Sequence, residues 1–445
     1  MTLIELMVAM VLGLIVAGGI VTIFISTSSS NRTQTQLARL QEEGRFAISR
    51  LSNDLHMANG QYCTGTGGVA QAGTGGVYLD HLRSPKVYAR NLTGALSDVT
   101  TAWGASSGGH AYPPAPSTPY SMPSFLFMRG YDCGLTDATC SPANPAAAGL
   151  PSMGKTLGAR VSGTDVITVR YVNPSSGWAI GGPGASKIAT SSSMGTINSI
   201  TLIPDSSADE PPVTNFANGD LAMLADCSNA QIFPATASAT GVIVPVINST
   251  DGFGTGSSNT PAAQQPESAP KLFDVNRDLQ TVTYYLKVVS VNNDNAAPFT
   301  GALMRRINGG DPTKKGGSED ELVRGIERLD FKYGVQDSSG NTSFLTASQI
   351  DASTNCPPAE INAITAVGCL WRGVTSIEVS ILMDGQVPLY TLAADDMMYA
   401  YSIDGNTVAV APESTRQVTP NQQGFVDQML RREFTVLVAL RNYNP

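Results

Sequence analysis

The sequence predicts an α+β fold in which one long N-terminal helix packs on antiparallel β-sheet. Three observations predict it. Residues 1–25 are almost wholly apolar, with Glu5 their only charge. Apolar residues then continue at helical spacing to about residue 58. After residue 60 that period gives way to alternation of period two, bounded by Gly, Pro, Asn and Asp.

The helix comes first. No charged residue lies between Glu5 and Arg32. At about 1.5 Å per residue, twenty helical residues span roughly 30 Å, the thickness of a hydrocarbon core. The run does not read as a secretory signal, because it lacks a basic start, is too long and is followed by no small-residue cleavage site. A plain single-span anchor explains the hydropathy but not Glu5, since a carboxylate at membrane depth is costly without a partner. Its own helix N-terminus helps it a little. The terminal amine of a neighbouring copy or relative would do more, which makes Glu5 a docking charge.

No proline interrupts the chain before Pro85. Leu37, Leu40, Gly44, Ala47, Leu51, Leu55 and Ala58 recur at spacings of three and four. Arg39–Glu43 and Arg50–Asp54 stand at i,i+4 and Glu42–Arg45 at i,i+3, as supporting pairs on the opposite face. One helix is therefore expected from about residue 2 to about residue 58, roughly 85 Å long. Gly13, Gly18 and Gly19 are its weak points, or places where another helix can approach closely.

The strands follow. The best period-two runs are 166–172, 198–203, 220–226, 281–291, 302–307, 327–335, 375–383 and 429–440. Strands without alternating helices argue for antiparallel sheet rather than βαβ units. Residues 64–77, 104–159, 248–270 and 309–320 read as loops. The expected organisation is 1–25 as the membrane half of the helix, 26–58 as its amphipathic half, 59–160 as a loop-rich insertion or small subdomain, and 161–445 as the sheet domain.

Composition supports a folded protein whose polar surface comes largely from uncharged residues. The chain has 445 residues, consistent with two or three domains. Charged residues are 14% of it against a norm of roughly 25%. A net charge of -9 makes it a poor general binder of nucleic acid, and none is expected as a partner. At 42% hydrophobic it is not broadly disordered.

Two blocks carry a family resemblance. Thr2-Leu3-Ile4-Glu5-Leu6 before an apolar helix resembles the mature N-terminus of type IV pilins and type II secretion pseudopilins. Gln41–Ala58 (QEEGRFAISRLSNDLHMA) narrows it to the PilW-type minor pilins and their relative, the J-type pseudopilin. Gly219–Ser228, Glu321–Asp337, Val374–Met383 and Arg431–Asn442 resemble later strands of that family. Met1 stands where the family carries an N-methylated residue, usually Phe, and is the candidate methylated terminus. Ala58–Cys63 departs from the family's Ala-Gly-Tyr. Residues 64–160 match no family pattern.

The resemblance implies a pilin-like fold and an assembly role without catalysis or cofactor. It implies priming of type IV pilus assembly with other minor pilins and the major pilin, and display of a tip adhesin. It places the helix in the inner membrane and the sheet domain first in the periplasm, later at the pilus tip. The alternative is a J-type pseudopilin of a secretion system, usually much shorter. Adhesion by residues 64–160 rests on loop composition alone.

The six cysteines are Cys63, Cys133, Cys140, Cys227, Cys356 and Cys369. None forms CxxC, and the three histidines, His56, His81 and His110, show no ligand spacing with them, so no metal site is expected. The even count suits disulfides in an exported protein, with free thiols the alternative. Six cysteines allow fifteen pairings. Sequence proximity suggests Cys133–Cys140 and Cys356–Cys369, leaving Cys63–Cys227.

Three motif matches lack their context. Gly149–Thr156 fits the phosphate-loop pattern without a strand before it or a helix after it. Gly104–Gly108 fits G-x-S-x-G around Ser106, the basis of a less favoured hydrolase reading, but sits in a Gly/Ser-rich stretch. Asp274-Val-Asn276-Arg-Asp278 begins like a calcium loop, yet position six is Leu279 and position twelve is not Glu.

Overall fold

A computed structural model describes residues 2–60, 69–73, 76–80, 85–107, 110–181, 186–190, 195–226, 229–263, 269–314, 316–336, 342–353, 368–389 and 418–440. The long helix runs Leu3–Met57 without interruption. At about 1.5 Å per residue it is roughly 80 Å long. It ends at Ala58, and Asn59 follows at φ 61°, where the chain turns back toward the sheets.

Two antiparallel sheets receive the helix. The five-stranded one runs Ser318–Arg324, Phe299–Ile307, Leu279–Ser290, Val166–Val172, Met128–Tyr131. The four-stranded one runs Thr342–Leu345, Ile326–Gln336, Val374–Asp384, Arg431–Ala439. Asp165 joins them: its amide donates to the Leu329 carbonyl at 2.8 Å, and its carboxylate accepts the Phe331 amide at 3.1 Å.

A nine-stranded sheet stands beside this assembly. Its centre is Val242–Pro245, Ala230–Ala237, Leu221–Ala225 and Lys271–Asp274. Lys86–Val87 adds to Ala230–Ala237 in parallel, and Tyr120–Ser121 pairs with Lys86–Val87. Strands from either side of residue 160 thus share sheets: Met128–Tyr131 pairs with Val166–Val172, and Lys86–Val87 with Ala230–Ala237.

Alternation explains why Leu221–Ala225 reads as a continuous apolar run. Met223 and Ala225 belong to the core that holds the helix, whereas Ala222 and Leu224 face a second core around Trp178, Phe233 and Leu272. Period-two side chains on a sheet buried on both faces leave no polar positions.

Every predicted run forms a strand, with ends shifted by a few residues. Two expected loops need correction. Residues 69–73 and 76–80 pair as a hairpin that starts inside 64–77 and runs on to residue 80, and Met128–Tyr131 is a buried strand within 104–159.

Candidate assembly interface

The helix begins with a capping box. The Thr2 hydroxyl accepts the Glu5 amide at 3.4 Å, and the Glu5 carboxylate accepts the Thr2 amide at 2.8 Å. This arrangement satisfies two amides that an α-helix leaves without partners. Glu5 is exposed, so its carboxylate caps the helix and remains open to a cation. Met1 lies outside the described residues.

Residues 2–27 are all exposed, with Leu14 at 76% and Phe24 at 73%. The stretch is long and apolar enough to cross a membrane. A Cβ built at Gly13, Gly18 or Gly19 meets nothing within 4 Å.

Burial starts at Leu40 and continues through Gly44, Ala47, Leu51, Leu55 and Ala58; Leu37 is only half-buried. Burying each leucine contributes about 1.5–3 kcal/mol. Gly44 sits against the Phe434 ring, which would be 2.7 Å from an added Cβ. Any side chain here would force the ring aside, so the glycine sets how closely the helix approaches the last strand.

Polar contacts fix the second half of the helix on the sheets. Arg39 Nε donates to Glu43 at 2.7 Å and Arg39 Nη2 to Gln386 Oε1 at 3.2 Å. Gln386 Nε2 donates back to Glu43 at 3.2 Å. A Cβ on Gly385 would lie 2.0 Å from Gln36 Oε1, so this turn also touches the helix closely. Near the other end, His56 Nδ1 reaches the Ala439 carbonyl at 2.5 Å.

The strongest contact is one the sequence reading assigned to solvent. Asp54, expected to pair with Arg50, is buried and faces the five-stranded sheet instead. It accepts Arg305 Nε at 2.6 Å, Arg305 Nη2 at 3.1 Å, the Tyr284 hydroxyl at 2.6 Å and the Tyr171 hydroxyl at 3.0 Å. Position 54 lies two turns after Ala47, on the buried arc. That seven-residue spacing was the available signal. Burial pushes the Asp54 carboxyl up, but Arg305 and the two tyrosines outweigh it and hold it below the usual value. Arg39–Glu43 does form as expected, whereas Glu42 and Arg45 are both exposed.

Cys133 and Cys140 are joined by a disulfide. The closed loop carries Asp137, which accepts Arg160 Nη2 at 2.8 Å and so pairs with a fully buried guanidinium. Cys63, Cys227 and Cys356 and the side chain of Cys369 lie outside the described residues, as does His81.

The chemical motifs find no matching geometry. Ser106 lies in a two-residue strand paired with His110–Ala111, not at a strand-to-helix turn. Gly149 ends a short 3-10 turn, and Lys155 Nζ donates to the Asn421 carbonyl at 3.2 Å. Asp278 is held by Arg277 and by the Asp274 amide, which uses up the calcium-loop carboxylate. Among the described residues no group of three or more His, Cys, Asp or Glu is arranged to hold a metal.

The fold is α+β: an apolar N-terminal helix, exposed along its first half and docked along its second half on antiparallel sheet. Residues 283–442 match the family model described as Type IV Pilus-assembly protein W. The match covers two whole strands and part of a third of the five-stranded sheet, and all of the four-stranded one. No curated protein matches the chain. A type IV-like pilin from Thermus thermophilus is similar over 52% of this chain and 86% of that chain, at 12% identity and a TM-score of 0.18.

Proposed function

We propose that the protein is a minor pilin that helps initiate type IV pilus assembly and sits at or near the filament tip. The observation that carries this reading is a continuous helix whose first half has no partner among the described residues and whose second half is locked to the sheet domain. Such a helix transmits packing in a bundle directly to the domain it carries. The family match over residues 283–442 supports a pilus rather than a generic membrane tether.

In this reading the partners are other minor pilins, the major pilin and a tip adhesin. The first half of the helix resides in the inner membrane before assembly, with the sheet domain in the periplasm. Extraction into the filament exchanges lipid for neighbouring apolar helices. Glu5 then offsets the terminal amine of a neighbour, a pairing strengthened where water is scarce. Met1 would supply the corresponding amine, methylated or not, to another subunit.

The test separates charge from capping. Glu5→Gln keeps a capping-box acceptor at the third helical position and removes the charge. Co-purification of other pilins from native envelopes should fall at least tenfold, with the sheet domain melting unchanged. Undiminished co-purification and normal piliation would sink the assembly role of Glu5.

A further inference from the structure

Arg431–Ala439 is the outer strand of the four-stranded sheet, and Val374–Asp384 is its strand neighbour among the described residues. Its register fixes where each backbone group points. The Leu440 amide donates to the Thr375 carbonyl at 2.9 Å, and the Gly385 amide to the Leu430 carbonyl at 2.9 Å. Between these ends the pairing runs from Ser376↔Ala439 to Asp384↔Arg431 without a register shift. Antiparallel partners exchange hydrogen bonds at every second position. Arg432, Phe434, Val436 and Val438 therefore turn their backbone groups inward. Glu433, Thr435 and Leu437 turn theirs outward, and among the described residues no backbone partner meets them.

This edge is open. The side chains of Glu433, Thr435 and Leu437 are exposed, Leu437 at 58%. Proteins ordinarily blunt such an edge with proline, a bulge or a cover. Here neither proline nor bulge interrupts the strand, and the helix, which lies over Phe434 and reaches the Ala439 carbonyl through His56, leaves Glu433, Thr435 and Leu437 exposed. Unpaired N–H and C=O groups at a two-residue repeat match one kind of occupant, an extended polypeptide.

The surroundings say which polypeptide. Gly44 lies over Phe434 and His56 reaches Ala439. At 100° per residue, a figure that follows from about 3.6 residues per turn, the flank of Arg45, Ser49, Ser52 and His56 therefore turns toward the edge. Phe46, 53% exposed, comes next around the helix. Open edge, helix flank and Phe46 thus form one surface, continuous along the helix with the uncovered apolar half. A subunit that packs its own helix along this one lies beside the edge.

We infer that the Glu433–Leu437 edge receives a β-strand from the pilin-fold subunit packed against this helix, extending the four-stranded sheet across the subunit boundary. This rests on the bundle reading proposed above and adds to it a second, hydrogen-bonded contact. It would fix the rotation of the neighbour about its helix, which apolar packing alone leaves loose.

The experiment places a photo-crosslinking amino acid at Leu437, and separately at Phe46, of the full-length chain in native envelopes. Crosslinked peptides are then sequenced. Leu437 should join an extended segment of the same apolar-helix protein that Phe46 captures. Thr435→Pro removes an outward N–H and no bond of the existing ladder, so it should cut the Leu437 yield at least tenfold and leave the Phe46 yield intact. Glu433→Pro, which removes another outward N–H, serves if Thr435→Pro fails to fold. Crosslinks from Leu437 to its own chain, to a partner's helix, or undiminished by these prolines overturn the inference. Failure at Leu437 alone overturns strand addition and spares the bundle; failure at both positions overturns both.

Discussion

From Leu3 to Ile25 the helix exposes Leu, Ile, Val, Met and Phe side chains to the surroundings, while from Leu40 to Ala58 it buries a narrow stripe against two sheets. Both stretches are regular helix, and the difference lies in what each finds to touch. The first half is stable only where lipid or other helices replace water, because apolar area left in water costs about 25 cal/mol per Å². The second half has its partner built into the chain. It also contains a buried carboxylate, Asp54, whose partners come from its own chain, whereas Glu5 in the first half takes its cation, in the proposed reading, from another subunit. Apolar stripes tolerate sliding; Asp54 does not, because a slip by one residue would leave Arg305 opposite Asn53 or Leu55. The contrast teaches that this chain leaves its outer packing adjustable and fixes its inner packing with one polar clasp.

The largest expected effect is at that clasp. Asp54→Ala strands the Arg305 guanidinium and two tyrosine hydroxyls, and should cost about 3–5 kcal/mol in chemical denaturation. A matching apolar truncation in the free half, Leu14→Ala, should leave the same denaturation curve within about 0.5 kcal/mol. Asp54 also gives the docked half an acid limit. Its folded carboxyl lies below the ordinary 3.8, so its stabilisation is present above that value and is lost as pH falls through the folded pKa. Asp54→Asn should remove this part of the acid slope, and an unchanged slope would mean that other carboxylates set it.

Next comes Gly44. A valine there collides with the Phe434 ring and should cost about 1–3 kcal/mol by the same measurement. Combining it with Phe434→Ala should cost less than the sum of the two single changes, since the ring is what the new side chain meets.

How much of this was legible depended on distance along the chain. The helix, its apolar stripe and the strands follow from local periodicity, and Val166–Val172 was located to the residue. The Asp54 clasp was missed because its partners stand at 171, 284 and 305, and nothing local to residue 54 names them. Counting i,i+4 charges even pointed the wrong way, toward Arg50. The nine-stranded sheet was legible only in part. Lys86–Val87 and Tyr120–Ser121 are two-residue strands, too short to show a period, and they form only because Ala230–Ala237 offers an edge.

The smallest expected effect is at the start of the docked half, where Arg39, Glu43 and Gln386 meet. The Arg39 side chain is 51% exposed, so its ion pair competes with water and salt. Arg39→Ala should cost under about 1 kcal/mol. The loss should shrink further at 1 M salt, where the screening length falls to about 3 Å. Gln386 would still donate to Glu43, which holds the turn in place. Asp54, buried and bonded on both oxygens, should show no comparable salt dependence. If Arg39→Ala instead cost as much as Asp54→Ala, the seam would act as one cooperative unit. The clasp would then no longer be what fixes the helix on the sheets.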